Sequence, residues 1–155
     1  MPRTPPASRD AYRHFTRFET RWRDNDVYGH INNAVFYEYV DTAVNSWLIE
    51  SGALAVPDGD TVGLVVHSEC TYFAPLAFPD LVTAGIRTAR VGRSSVTYEV
   101  GLFRGADTET AAMARFTHVY VTRDDHRPAP LPDRLRQRLA ALAPQAAHAP
   151  QDTSS

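Results

Sequence analysis

Hydrophobic residues recur at helical spacing over one long segment, residues 33–51. Its apolar stripe contains Phe36, Val40, Ala43, Val44 and Trp47, and further apolar side chains widen it. Asn32 or Asn33 is suited to cap the amino terminus, and Gly52 stands where a glycine often ends a helix. Because an α-helix rises about 1.5 Å per residue, this one would extend about 28 Å, enough to cross a sheet.

Alternating polar and apolar residues predict strands on both sides of this helix. One strand is expected before it, at residues 15–23, and four after it, at 61–73, 81–91, 95–104 and 108–123. Short turns join the last three, which predicts an antiparallel meander. A short amphipathic helix follows, with its leucines at Leu131, Leu135, Leu139 and Leu142. This order predicts an α+β fold in which an antiparallel sheet wraps around one long central helix.

The composition is typical of a globular protein with a single domain. The 155 residues are 43% hydrophobic and 22% charged, and the formal net charge is -2. That charge gives no support for binding nucleic acid. No apolar run fits a membrane span or a secretory signal, so a cytoplasmic location is expected. We expect one domain at residues 14–143, between disordered tails at 1–13 and 144–155.

The side chains that the sequence lacks exclude several kinds of chemistry. All sixteen basic residues are arginines, which excludes a Schiff-base lysine and a P-loop lysine. The one cysteine, Cys70, excludes a disulfide framework within the chain, and we expect it to be a small buried hydrophobe. There is no G-x-S-x-G, no H-E-x-x-H and no histidine spacing typical of a metal site. No metal and no cofactor are therefore expected.

Polar residues are concentrated in the stretch that leads into the long helix. They are Asp24, Asp26, Tyr28, Gly29, His30, Asn32 and Asn33. Such density between an extended segment and a helix usually builds a site rather than a core. A helix amino terminus supplies free N–H groups and the positive end of a dipole, which can stabilise a developing oxyanion. A neighbouring carboxylate could then act on a substrate whose leaving group is good.

This stretch resembles the signature of a known enzyme family. Residues 21–33, RWRDNDVYGHINN, are similar to hotdog-fold acyl-CoA thioesterases of the 4-hydroxybenzoyl-CoA thioesterase type, in the branch reading D-x-D-x-x-G-H-[VI]-N-N. Weaker similarities follow at residues 72–75, 92–95 and 130–132, so that the resemblance spans about residues 15–142. It implies a hotdog fold and an acyl-CoA thioester as the substrate.

The resemblance also implies roles for individual residues. Asp26 corresponds to the catalytic carboxylate, which acts either as a nucleophile that forms a mixed anhydride or as a base for water. The backbone N–H of Asn33 corresponds to the group that polarises the thioester carbonyl. Asp24 is expected to be structural. The residues expected to contact the substrate are Tyr28, Gly29, His30 and Asn32; for His30, a place in the turn without substrate contact stays open.

A second group of candidate residues surrounds the predicted turn at residues 92–94. In the resembled family, basic residues near this turn bind the phosphates of coenzyme A, which points to Arg90 and Arg93, with Ser94 and Ser95 as further donors. Exposed hairpin arginines are also common, so a purely solvated role stays open. Asp41, on the long helix, could line the pocket or face solvent.

We therefore expect an acyl-CoA thioesterase that works without a metal or a cofactor. An open sheet has edges to protect, so a homodimer or homotetramer is expected. The alternatives are a hotdog enoyl-CoA hydratase, for which Asp26 and His30 would have to cooperate, and a non-catalytic acyl-CoA-binding module. The sequence leaves open the acyl group and whether coenzyme A or an acyl-carrier protein carries it.

Overall fold

The computed structural model describes residues 4–144, which form two helices and five strands. In chain order these are β1 (His14–Glu19), α1 (Asn33–Glu50), β2 (Thr61–Tyr72), β3 (Leu81–Val91), β4 (Ser95–Arg104), β5 (Ala112–Thr122) and α2 (Asp133–Ala140). Among these residues, neither helix is long and apolar enough to cross a membrane.

The strands form one antiparallel sheet in the order β1-β3-β4-β5-β2. The last three strands in the chain make the predicted meander, and β1 and β2 lie at the two edges. Helix α1 packs mainly against β1, β3 and β4. An antiparallel sheet around one long helix confirms the predicted architecture.

The core lies between α1 and the concave face of the sheet. All residues of the predicted stripe are buried: Phe36, Val40, Ala43, Val44 and Trp47. They pack against apolar side chains of β3, β4 and β5. The side chain of Asn32 caps the helix by accepting a hydrogen bond from the Ala34 N–H at 2.9 Å. Gly52, with φ of +67°, ends it in a conformation that favours glycine.

Several strand boundaries and the amino-terminal tail differ from the predictions. β5 begins at Ala112 rather than at residue 108, and β2 ends one residue early, at Tyr72. Residues 7–13 were expected to be a frayed tail, but Tyr12 is only 4% exposed and Arg9 donates a 2.8 Å hydrogen bond to the Gly105 carbonyl. Residues 1–3 and the expected carboxyl-terminal tail from 145 onward lie outside the described residues.

The largest difference is at β1, which ends at Glu19 instead of continuing to residue 23. A 3-10 turn over Trp22–Asp24 replaces the predicted end of the strand. The Asp24 carboxylate holds this turn by accepting hydrogen bonds from the Arg21 N–H at 2.8 Å and its Nε at 3.0 Å. The chain therefore turns away from the sheet towards the start of α1.

Asp24 also joins this turn to α1. Its side chain is 1% exposed and accepts a 2.9 Å hydrogen bond from the hydroxyl of Tyr39, on the buried side of the helix. Its carbonyl accepts a 2.9 Å hydrogen bond from the Asn32 N–H. Burial alone would raise the pKa of Asp24, but hydrogen bonds from Arg21 and Tyr39 outweigh that effect and hold the pKa below its usual value.

Of the two edge strands of the sheet, β2 is the longer, and its side chains are unusually accessible. Leu64, Val65, Val66 and Tyr72 are 41%, 48%, 60% and 42% exposed. Val65 and Tyr72, which pair with the buried His118 and Ala112 of β5, lie on the side of the sheet that faces α1, so the helix covers this side of β2 incompletely. An exposed apolar edge strand of this length is a surface on which another strand can pair.

We expect Asp24→Asn to destabilise the fold by about 1–3 kcal/mol at neutral pH, because it removes the negative charge of a buried side chain that accepts three hydrogen bonds. The folded-state pKa lies below the unfolded value of about 3.9, so the stabilisation is complete above about pH 4 and disappears as the pH falls through the folded pKa. Urea unfolding of both proteins from pH 7 to pH 3 checks this. A difference between them that stays constant over this range would contradict the assignment.

Candidate active site

A tight loop leads from the turn after β1 to the amino terminus of α1. It closes through a bridge between Asn25 and Ile31, and through a 2.9 Å hydrogen bond from the Asp26 N–H to the His30 carbonyl. The Gly29 N–H donates to the Asp26 carbonyl at 3.1 Å, and the φ of +80° at Gly29 explains why glycine suits this position. The loop fixes Asp26 beside the first residues of α1.

The Asp26 carboxylate is partly exposed at this loop. Its Oδ1 accepts a 2.8 Å hydrogen bond from the Tyr28 N–H, which orients the group. Among residues 4–144, no other hydrogen bond reaches the carboxylate, so Oδ2 is free to face a substrate or a water. The Tyr28 side chain is 83% exposed at the tip of the loop. Asp24 and Asp26 are thus in opposite environments, one buried and saturated with donors, the other accessible.

The first turn of α1, which follows this loop, presents a free N–H group. Asn32 satisfies the next two donors: its side chain accepts from Ala34, and its carbonyl accepts from Val35 at 2.9 Å. The Asn33 N–H has no acceptor among the described residues. It also lies at the positive end of an 18-residue helix. This N–H is therefore available to an oxygen that gains negative charge.

A groove of about 340 Å³ runs along the start of α1. Its walls include His30, Asn33, Phe36, Tyr72 and Leu76. The His30 side chain is exposed, and Asp26 borders the groove only through its backbone contact with that residue. Because the groove is open to solvent along β2, a single chain supplies only part of the wall around a substrate.

The residues of the second predicted group lie at the turn between β3 and β4. Arg90 and Arg93 are exposed, and neither forms an ion pair with a described residue. Ser94 and Ser95 are partly buried, with the Ser94 carbonyl accepting from the Tyr120 N–H at 2.7 Å. The turn thus presents two unpaired guanidinium groups on a rigid backbone.

This arginine turn and the Asp26 loop lie at opposite ends of the sheet. The first residue of β3, Leu81, pairs with Glu19 at the end of β1, and the nearby Phe78 N–H donates to the Asn25 side chain at 3.0 Å. The arginine turn follows the other end of β3, about 33 Å away at about 3.3 Å per residue. Within one chain, therefore, the structure does not bring the two predicted groups of site residues together.

Two polar contacts inside the fold were not predicted from the sequence. The hydroxyl of Tyr39 donates a hydrogen bond to the buried Asp24 carboxylate. His118 is buried against the rings of Tyr98 and Tyr120. Strand alternation could have indicated this position, since it puts His118 on the same face as Phe116 and Tyr120.

Comparison with known proteins identifies the superfamily. The sequence profile of the thioesterase-like superfamily matches residues 20–139. The PA5185 protein of Pseudomonas aeruginosa is 50% identical to this chain; the match covers 92% of this chain and 100% of that one, with a TM-score of 0.88. A search of curated protein sequences found no match.

Two further solved structures are named thioesterases. One, from Thermus thermophilus and complexed with coenzyme A and Zn, is 33% identical, with 85% and 95% of the two chains covered and a TM-score of 0.70. The other is Slr0204, a 1,4-dihydroxy-2-naphthoyl-CoA thioesterase from Synechocystis, at 19% identity, 81% and 94% coverage and a TM-score of 0.74; it shows the fold alone. The finer D-x-D branch stays a prediction. Since the profile covers most of the domain, the chain belongs to the thioesterase-like superfamily and is a thioester hydrolase.

Proposed function

We propose that the protein is an acyl-CoA thioesterase in which Asp26 is the nucleophile or general base and the Asn33 N–H binds the oxyanion. The observation that carries this proposal is that a loop closed by the hydrogen bond from the Asp26 N–H to the His30 carbonyl joins an accessible carboxylate to a free N–H at the start of α1. The Thermus relative, which was crystallised with coenzyme A, supports the choice of carrier.

The chemistry requires little else, because a thiolate is a good leaving group. Asp26 attacks the carbonyl carbon itself or deprotonates a water that does so, and the carbonyl oxygen gains negative charge. The Asn33 N–H and the dipole of α1 stabilise that charge. Collapse of the intermediate breaks the carbon–sulfur bond and releases coenzyme A as the thiolate. Where Asp26 is the nucleophile, water then hydrolyses the acyl-aspartyl anhydride to free acid.

The alternative enoyl-CoA hydratase would need the side chains of Asp26 and His30 to act together. The described residues include no hydrogen bond between these two side chains; only a backbone contact joins them. A non-catalytic binding module would not require an accessible carboxylate and a free helix N–H in the same segment. Neither alternative is favoured by a specific feature of the site.

The positions of the two groups of site residues support a dimer formed through β2. The carboxyl end of β2 lies at the groove, where Tyr72 contacts Phe36 with ring centroids 5.0 Å apart. Its amino end lies with the arginine turn, since Thr61 pairs with Thr122 and Ser95 pairs with the nearby Val119. Two β2 edges paired antiparallel about a twofold axis would place opposite ends side by side.

Such a dimer would bring together the two groups of site residues that lie far apart within one chain. The arginine turn of one protomer would approach the Asp26 loop of its partner, and the sheet would continue across the interface. The exposed apolar residues of β2 would be covered at the same time. We propose this arrangement as the functional unit, with Arg90, Arg93, Ser94 and Ser95 binding coenzyme A phosphates from across the interface.

We expect Asp26→Asn to lower kcat for acyl-CoA hydrolysis by about 100-fold or more, as for a lost general base or nucleophile. Its thermal stability should match the wild type, because only the Tyr28 N–H contacts the carboxylate. Asp24→Asn is the matched control: its loss should appear in stability and much less in kcat of the folded protein. Release of free thiol and circular dichroism measure the two effects. Near wild-type turnover by Asp26→Asn would refute the mechanism.

We expect Val66→Asp to dissociate the protein into monomers and reduce its activity, because equivalent negative charges would meet near the centre of the paired strands. The control is Ile49→Asp, at the end of α1, where the side chain is 55% exposed but away from β2. Size-exclusion chromatography with light scattering measures assembly. A wild-type protein that is a fully active monomer at nanomolar concentration would contradict the dimer.

We expect the double variant Arg90→Ala, Arg93→Ala to raise KM for coenzyme A thioesters more than it lowers kcat, because the phosphates lie far from the reacting carbonyl. The control, Arg104→Ala with Arg127→Ala, also removes two accessible arginines but leaves the turn intact. Steady-state kinetics with one substrate distinguishes the pairs. An unchanged KM in the first variant would show that the turn is not the phosphate site.

A further inference from the structure

A second cavity, of about 280 Å³, lies between the carboxyl-terminal half of α1 and the amino-terminal half of β2. Most of its wall is apolar and includes Leu48, Leu54, Val62 and Val65. The polar side chains that contribute to it are Asp41, Asn45, Thr61, His118 and Arg123. We call this cavity the His118 pocket. None of the residues proposed for catalysis or phosphate binding lines it.

His118 is the unusual residue of this pocket. It is 4% exposed, and neither ring nitrogen has a hydrogen-bond partner among the described residues. Aromatic rings surround it, with the centroid of Tyr98 at 5.2 Å and that of Tyr120 at 6.1 Å. A buried polar group without a partner costs free energy, so such groups are rare unless something binds them.

The strand next to His118 leaves space beside its ring. Gly63 of β2 faces it, and a Cβ there would come within 3.3 Å of Nδ1 and 3.1 Å of the Tyr120 ring. Any larger side chain would therefore crowd the nitrogen from the pocket side. Gly63 therefore puts no side chain between the cavity and the ring, whose nitrogens are buried in this structure.

The chemistry of His118 selects the group that it can bind. Burial lowers its pKa to about 4, so the ring is neutral at physiological pH and has one N–H donor and one acceptor nitrogen. A hydroxyl can both donate and accept, which suits this ring. The Arg123 side chain in the wall already donates to the carbonyls of Gly59 and Pro57. A carboxylate at the ring would meet a neutral imidazole and the nearby Asp41 in a largely apolar cavity, which disfavours it.

The pocket lies on the same side of α1 as the catalytic groove. Asn33, Tyr37, Asp41 and Asn45 follow one another at intervals of four residues, which places them along one side of the helix. From Asn33 to Asp41 the helix rises about 12 Å. Between the two cavities Tyr37 packs on Phe116, with ring centroids 5.9 Å apart. An extended acyl chain attached at the groove would reach the pocket along these rings.

We propose that the His118 pocket binds the far end of an aliphatic acyl chain that carries a hydroxyl group there, and that His118 hydrogen-bonds this hydroxyl. The inference rests on the proposed acyl-CoA thioesterase function and names its substrate class. His118 is a specificity-determining residue in a pocket whose wall includes Asp41, about 12 Å along α1 from Asn33. The apolar wall holds the chain, and the neutral ring distinguishes a hydroxylated end from a plain one.

The test compares kcat/KM for pairs of acyl-CoA substrates that differ only in a terminal hydroxyl. Octanoyl-, decanoyl- and dodecanoyl-CoA are each paired with their ω-hydroxy counterpart, and acetyl-CoA serves as a substrate too short to reach the pocket. The wild type should prefer the hydroxylated member of at least one pair by about fivefold to tenfold, the value of one hydrogen bond to an otherwise unsatisfied group.

Variants of the pocket should change this preference and nothing else. His118→Phe keeps the aromatic packing but removes both nitrogens, so the preference should disappear while hydrolysis of acetyl-CoA is unchanged. His118→Gln, which retains a donor and an acceptor, should keep part of it. Gly63→Ala, which crowds Nδ1 from β2, should also remove the preference for the hydroxylated chain. It serves as the test variant if His118→Phe does not fold. The control, His67→Gln, changes an exposed histidine of β2 and should have no effect.

The outcomes separate the two proposals. If the wild type hydrolyses none of these thioesters, the proposed function fails and the inference fails with it. If the wild type hydrolyses them without preferring a hydroxylated chain, or if His118→Phe and Gly63→Ala retain the preference, only the inference is overturned. His118 is then a packing residue of the core.

Discussion

The geometry of the site depends on one buried carboxylate. Asp24 accepts hydrogen bonds from the main chain and side chain of Arg21 and from the hydroxyl of Tyr39. These contacts end β1, turn the chain and attach it to α1 within a few residues. Because the Asp24 carbonyl also receives the Asn32 N–H, the accessible Asp26 is held beside the helix terminus. The two aspartates are thus in different environments, since the buried one fixes the turn and the other is accessible in the loop.

A second constraint is that helix α1 covers only part of the sheet. Helix α1 covers β1, β3 and β4, and leaves the concave side of β2 open. The open strand extends from the candidate groove at its carboxyl end to the arginine turn at its amino end. In the proposed dimer, an antiparallel partner strand on this edge would reverse the strand direction, so the contact that buries the edge would also bring the two groups of residues together. Assembly and substrate binding would then have a common physical origin.

Helix α1 has two different sides, and this division links the fold to substrate selection. One side is apolar and packs into the core, as the stripe from Phe36 to Trp47 shows. The other carries Tyr37, Asp41 and Asn45 along the open strip between the helix and β2. If this side of the helix also packed into the core, polar side chains would not be expected on it. Their presence, with the unsatisfied ring of His118 beneath them, is what makes the strip a candidate path for an acyl chain.

Local patterns in the sequence predicted most of the helices and strands and the loop of the candidate site. Helical spacing located α1, alternation located β3 and β4 to the residue, and the run from Asp24 to Asn33 indicated a site next to a helix terminus. These features depend on neighbours in the chain, so periodicity and turn chemistry reveal them. The end of β1, the lack of a hydrogen-bond partner for His118 among the described residues and the distance between the arginine turn and Asp26 were decided only in three dimensions. Each depends on contacts between residues far apart in the chain or on the direction in which strands pair, and neither property is written in any local pattern.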